Sequence, residues 1–167
     1  MNPFHAAERP FRAALNAGCP RLAAACLALA LGACVSAGLR GHAPFTEINA
    51  LRLDGTSLEL DLGLRNPNSV PILISNIRFT VDLEETRLVA YDSPSEASVL
   101  ANGVENLRFQ VTASPEGAAL LRELEAGNRA SLAYRLEGTI VASEDETMKL
   151  DRRGRLYPVP GRPGQFR

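Results

Sequence analysis

Leucine occupies every second position from Leu58 to Leu64, with Glu59, Asp61 and Gly63 between and Arg65 after. A period of two places all four leucines on one face of an extended chain and the charges on the other. A strand with one apolar and one wet face belongs to an antiparallel sheet, because parallel strands are covered on both faces. The run stops at Asn66-Pro67-Asn68-Ser69. Pro67 has no N–H for a ladder and asparagine side chains bond nearby backbone, so these residues form a corner.

The same period recurs along the chain. Leu51 and Leu53 flank Arg52 before a turn at Asp54-Gly55. In Pro71–Leu83, Ile77, Phe79, Val81 and Leu83 face inward and Arg78, Thr80 and Asp82 outward. Ile72-Leu73-Ile74 is out of phase with them, which predicts a bulge near Ser75-Asn76. Glu84-Glu85-Thr86 turns into a strand over Arg87–Tyr91, and Ser95–Leu100 reads as a separate short strand closed by Ala101-Asn102-Gly103. Leu107, Phe109 and Val111 alternate next. One helix follows. Ser114 suits its N-cap, Pro115 its first position and Glu116 its positive end, while Leu120, Leu121 and Leu124 form its apolar stripe. Gly127 is placed to end it in the left-handed conformation. Strands return over Ala130–Ala142, with Leu132, Tyr134, Leu136 and Ile140 on one side, then over Thr147–Leu150 and Leu156–Val159. Phe79 and Tyr134 lie in phase with the apolar faces and read as core. The expectation is all-β with one short helix, an antiparallel β-sandwich of about seven strands.

The N-terminal region reads as a secretory signal. Arg9, Arg12 and Arg21 precede an apolar run from Leu22 to Leu31. That run is about ten residues, half the roughly 20 that a spanning helix needs. Leu31-Gly32-Ala33-Cys34 closes it as a lipobox: Leu31, Gly32 and Ala33 form the cleavage motif and Cys34 takes lipid. Acyl chains anchor a protein because each buried methylene contributes about 0.8 kcal/mol, and stable attachment takes more than one chain. The expected layout is a signal peptide at 1–33, a lipidated N-terminus and tether at 34–44, a domain at 45–160 and a disordered Pro/Gly/Arg tail at 161–167. Val35 follows the cysteine where an aspartate would argue for retention at the inner membrane. The expected location is therefore a membrane facing the periplasm, outer rather than inner.

Composition narrows the function classes. Of three cysteines, Cys19 and Cys26 leave with the signal and Cys34 is acylated, so no disulfide is available and packing must supply stability. The formal charge of the chain is −1, and loss of Arg9, Arg12, Arg21 and Glu8 leaves it slightly more acidic. Nucleic acid as a partner would ask for a strongly basic surface. Only His42 survives cleavage, and it lies in the tether, so neither a Ser-His-Asp arrangement nor a zinc site has its histidine. Glu144, Asp145 and Glu146 lack the alternating oxygen ligands of a calcium loop and read as a turn. Arg152, Arg153 and Arg155 read as a solvated hairpin rather than a site for anionic head groups. No metal, no cofactor beyond the covalent lipid and no small-molecule substrate is expected.

Leu60–Pro71 (LDLGLRNPNSVP) followed by Ile77-Arg78-Phe79-Thr80-Val81 resembles the first half of a late-embryogenesis-abundant type 2 domain, also called the water-stress and hypersensitive-response domain. Leu107–Val111, the helix, Tyr134–Gly138 and Pro158-Val159-Pro160 follow in that family's order, so the resemblance covers about residues 45–160. Two positions depart from it: Glu84-Glu85-Thr86 stands where Asn-Gly is usual, and Asp92 near a common glycine. The resemblance implies a fibronectin-III/immunoglobulin-like sandwich with a helix, no enzymatic activity and a link to desiccation and other stress. Bacterial versions are often lipoproteins. It also marks Asn66, Pro67 and Asn68 as the family motif, read as a structural corner with an interaction loop as the alternative. The expected function is a non-enzymatic, lipid-anchored envelope protein that supports stress tolerance through weak contacts with client proteins or the membrane. The alternative is a module that docks one envelope protein through its loops or a strand edge.

Overall fold

The alternation of leucines is realised in β2 (Ser57–Arg65), where Leu58, Leu60, Leu62 and Leu64 are fully buried. The computed structural model describes residues 41–142 and 146–167. β2 lies between β1 (Phe45–Asp54) and β5 (Val104–Thr112), and a two-residue β8 (Gln165–Phe166) closes on β1, giving the order β5-β2-β1-β8. The second sheet has the order β4-β3-β6-β7, from β3 (Ile72–Leu83), β4 (Thr86–Val99), β6 (Leu132–Ala142) and β7 (Thr147–Leu156). All pairings are antiparallel. The inner faces of the two sheets enclose one core. The fold is thus the expected antiparallel sandwich, with eight strands among the described residues.

Aromatic contact joins the sheets on the β4/β5 side. Phe79 stacks on Tyr91 with centroids 5.2 Å apart, and Phe109 meets both edge-on at 5.0 and 4.9 Å. Tyr134 is buried as expected. The bulge near Ser75 is present, as a register shift between Ile74 and Asn76 against both neighbouring strands. A second shift, between Val81 and Asp82, leaves Leu88 extra in β4. Consecutive strand residues normally point to opposite faces, yet Leu88 and Val89 are both buried, because the bulge re-aims one of them. Leu88 packs beneath α1 (Pro115–Glu125), where a Cβ on Gly117 would come within 2.8 Å of the Leu88 Cα.

α1 starts and stops as its sequence dictates. The Ser114 hydroxyl accepts from Gly117 N–H at 3.0 Å and Pro115 opens the first turn. At the far end Gly127 has φ 77°, its N–H donates to the Leu124 carbonyl, and Asn128 N–H donates to that of Glu123. These two bonds and the left-handed residue make a Schellman stop. Leu121 and Leu124 are buried together with Gly117 and Ala118, while Leu120 is half-buried.

Three expectations need correction. Arg87–Tyr91 and Ser95–Leu100 are not two strands but parts of the 14-residue β4, which tolerates Pro94 because it is an edge strand. Thr147–Leu150 and Leu156 likewise belong to one strand, β7, so Arg152, Arg153 and Arg155 lie in the edge-strand arm of the β6–β7 hairpin, exposed as expected, and not between two strands. The segment 161–167 is not a disordered tail. Tyr157–Val159 and Gln165–Arg167 bond reciprocally around turns at Gly161 and Gly164, Leu53 N–H donates to the Gly164 carbonyl at 2.8 Å, and Phe166 is 1% exposed. Glycine and proline are as much the composition of tight turns as of disorder, and the buried Phe166 decides between them.

Candidate functional site

The motif Asn66-Pro67-Asn68 sits at the end of the sandwich where β2 ends and β3 begins, and the structure makes it a clasp. Asn66 is 1% exposed. Its side-chain amide donates to the carbonyls of Val70 (2.8 Å), Val99 (3.1 Å) and Leu100 (3.1 Å). Its Oδ1 accepts both the backbone N–H and the Nδ2 of Asn68, each at 2.9 Å, and its own N–H donates to Gly103. Asn68 extends the network outward: Oδ1 accepts from His42 N–H at 2.7 Å and Nδ2 donates to the His42 carbonyl at 2.8 Å. Asn102 N–H, in a residue with φ 54°, donates to the Asn68 carbonyl. Two side chains thereby hold together the start of the domain, the β2–β3 corner and the β4–β5 turn. Asparagine suits this role because its amide donates and accepts at once; it gives a donor to the buried Val99 carbonyl and the part-buried Val70 carbonyl, and a second one to the Leu100 carbonyl, which also accepts from Gly103 N–H.

The other sequence-predicted positions do not gather at this clasp. Leu31, Gly32, Ala33 and Cys34, with Glu144 and Asp145, lie outside the described residues. On the β7 edge Arg155 bonds the Ser131 hydroxyl, while Arg152 lies opposite Leu136 and Arg153 opposite Arg135. Charges along an edge strand oppose pairing with another sheet. Asp92 holds Arg78 in an exposed ion pair at 2.7 Å. Glu84 takes φ 53° in the hairpin, and its carboxylate accepts from Ala133 N–H at 3.1 Å.

A polar groove of about 420 Å³ crosses the outer face of the β5-β2-β1-β8 sheet. Arg52, Arg108, Arg162 and Arg167 line it beside Glu59 and Asp61, with Arg108 Nε 3.7 Å from Asp61. It is not legible in the sequence, because its arginines come from separate segments and the Pro/Gly turns that carry Arg162 and Arg167 to the sheet have the composition of a disordered tail. Asn49 bulges from β1 on the same face and donates to both Asp61 and Asn106 at 3.0 Å. Among the described residues no group of three or more His, Cys, Asp or Glu is placed to hold a metal, and no helix is long and apolar enough to cross a membrane.

The family model for late embryogenesis abundant proteins of the LEA_2 type matches residues 61–153, over half of the 167-residue chain. The chain belongs to the LEA_2 family. The match begins in the leucine-rich strand β2 and ends in β7, so it takes in the asparagine clasp and the helix. No curated protein sequence matches the chain. Among solved structures, a protein of Arabidopsis thaliana determined in solution is similar at TM-score 0.55 and 16% identity, covering 75% of this chain and 89% of its own. A protein assigned to the late embryogenesis abundant group is similar at TM-score 0.44 and 16% identity, with 81% and 78% covered. One from Archaeoglobus fulgidus is similar at TM-score 0.44 and 16% identity, with 68% and 96% covered. Likeness at these identities speaks of fold alone. Membership of LEA_2 places the chain in a stress-related family whose members are generally not enzymes.

Proposed function

We propose that this LEA_2 domain is a non-enzymatic envelope protein, held to a membrane by lipid on Cys34 and facing the periplasm. On this reading the outer membrane is its location rather than the inner. It supports tolerance of water loss through weak, broad contacts with neighbouring proteins or the lipid surface. The observation that carries the reading is the conjunction of a LEA_2 match over 61–153 with the Leu31-Gly32-Ala33-Cys34 sequence upstream of the same domain. Weak contact suits a tethered protein, since attachment raises its local concentration without any added affinity.

The test is drying and rehydration of a fragile reporter enzyme with this protein, beside an equal mass of an unrelated β-sandwich. Recovery well above that control supports direct protection, and equal recovery refutes it. A second reading, a module that docks one protein partner, is favoured by the length of the β4 edge. Between Leu88, whose carbonyl accepts from Ser114 N–H, and Val99, whose carbonyl accepts from Asn66, its outer side is open to an added strand. Crosslinking in cells that returned one stoichiometric partner would select this reading.

A further inference from the structure

Among the described residues six large apolar side chains are exposed: Phe45, Val70, Leu73, Leu100, Val104 and Tyr157. Five of them collect at one end of the sandwich. Phe45 opens β1 and pairs with Arg65 at the end of β2, which pairs in turn with Val104 at the start of β5. Val70 lies in the β2–β3 corner, Leu73 near the start of β3 and Leu100 just after β4. Only Tyr157 sits at the opposite end. Leu100 is the most exposed, at 71%, with Phe45 and Val104 at 65% each.

These positions are not strays from a core. The asparagine clasp fixes the backbone of Val70 and Leu100, whose carbonyls Asn66 bonds, and of Gly103 beside Val104, while strand pairing holds Phe45 and Leu73. A rigid, solvent-facing group of apolar side chains marks a surface with a partner. The same clasp says which partner. Asn68 ties His42 to this end by two hydrogen bonds, so the chain N-terminal to the domain leaves from here. Only seven peptide units separate Cys34 from Gly41, a reach of at most about 25 Å.

We infer that this end of the sandwich docks on the lipid bilayer, with Val70, Leu100, Val104 and Phe45 entering the headgroup boundary. The inference rests on acylation of Cys34. Given that anchor, the bilayer is the one surface permanently held within reach of the patch. The tether supplies an effective concentration on the order of millimolar, so a small apolar patch suffices. Arg65, exposed and in register between Phe45 and Val104, suits this boundary, since an arginine stem can cover apolar surface while the guanidinium stays with water and phosphate. Arg152 lines the same hollow as Phe45, Arg65 and Val104, but Glu47, Glu105 and Glu146 offset the two arginines and leave no basic excess, so the contact is apolar rather than electrostatic. A domain docked by this end stands with its strands roughly along the membrane normal. That leaves the arginine-lined groove and the β4 edge facing sideways into the aqueous space.

The test uses the acylated mature protein reconstituted in phosphatidylcholine vesicles that contain a nitroxide-labelled phosphatidylcholine. An environment-sensitive dye is attached in Leu100→Cys or, at the far end, in Tyr157→Cys; both positions are on the surface, so the fold is kept. Quenching at position 100 severalfold above that at 157, unchanged by salt and reduced by adding Val104→Asp, is the expected result. Equal, weak quenching at both positions, in protein that still floats with the vesicles, overturns the docking and leaves the anchor standing. Quenching at position 100 that salt abolishes overturns the apolar mode of contact. A mass for the N-terminal peptide that shows no acyl chains removes the anchor and this inference with it.

Discussion

At the scale of single residues, the two asparagines of the motif do unequal work. Asn66 is enclosed and its amide serves three carbonyls, whereas Asn68 is half-exposed and shares its bonds with water-facing backbone. Asn66→Ala removes the side-chain donor from the Val70 and Val99 carbonyls and the acceptor of both Asn68 bonds, and is expected to cost on the order of 3 kcal/mol. Asn68→Ala is expected to cost about 1 kcal/mol, the ordinary net worth of an intramolecular hydrogen bond. Urea unfolding midpoints on the two variants read the difference; equal losses would refute this division of roles. Gly138 gives a second case. A Cβ there would stand 2.2 Å from the Arg78 carbonyl oxygen and 2.8 Å from the Phe79 Cα, both backbone atoms that cannot swing aside. Gly138→Ala is therefore expected to destabilise by about 3 kcal/mol, at the upper end of ordinary overpacking. Calorimetry would show it as a lowered Tm. Gly154→Ala is expected to be milder, since its Cβ would meet only the tip of the Tyr134 ring.

At the scale of elements, what the sequence makes legible is whatever rests on period and capping. β2 and the inward face of β3 follow from strict alternation, and α1 follows from Ser114, Pro115 and Gly127. Loss of the Ser114 cap is expected to cost about 1 kcal/mol, so Ser114→Ala should lower the unfolding midpoint by that amount with the helix retained by circular dichroism. A larger loss would point to the second bond of this hydroxyl, to the Arg87 carbonyl, which ties the helix to β4. What escapes the sequence is continuity across an interruption. β4 runs through Asp92-Ser93-Pro94, which reads locally as a break, because an edge strand can leave one side of its ladder unpaired. β7 continues through Arg152-Arg153-Gly154, where exposure at the sandwich edge removes the alternation that signals a strand. Leu88 and Val89 are both buried only because of a bulge, a matter of register between strands that no single strand encodes.

At the scale of the whole molecule, the surface features are the part least visible in the sequence. The arginine-lined groove and the apolar end each draw residues from three or more segments, and only the pairing of strands assembles them. The C-terminal segment belongs to the core on the same grounds. Phe166→Ala is expected to cost 3–5 kcal/mol, the range for emptying a buried aromatic site, and thermal unfolding would test it. A change within a few tenths of a kcal/mol would return this segment to the status of a tail. Pairing also decides how the domain bears load. β1 is an inner strand, joined to β2 from Phe45↔Arg65 to Asp54↔Ser57 and to β8 at Leu51 and Arg52. A pull along β1 from its N-terminal end meets the His42–Asn68 clasp first. It then loads the whole β1–β2 ladder in shear, so its bonds must fail together and cannot be unzipped one by one. A domain pulled from this end meets the load with its strongest geometry.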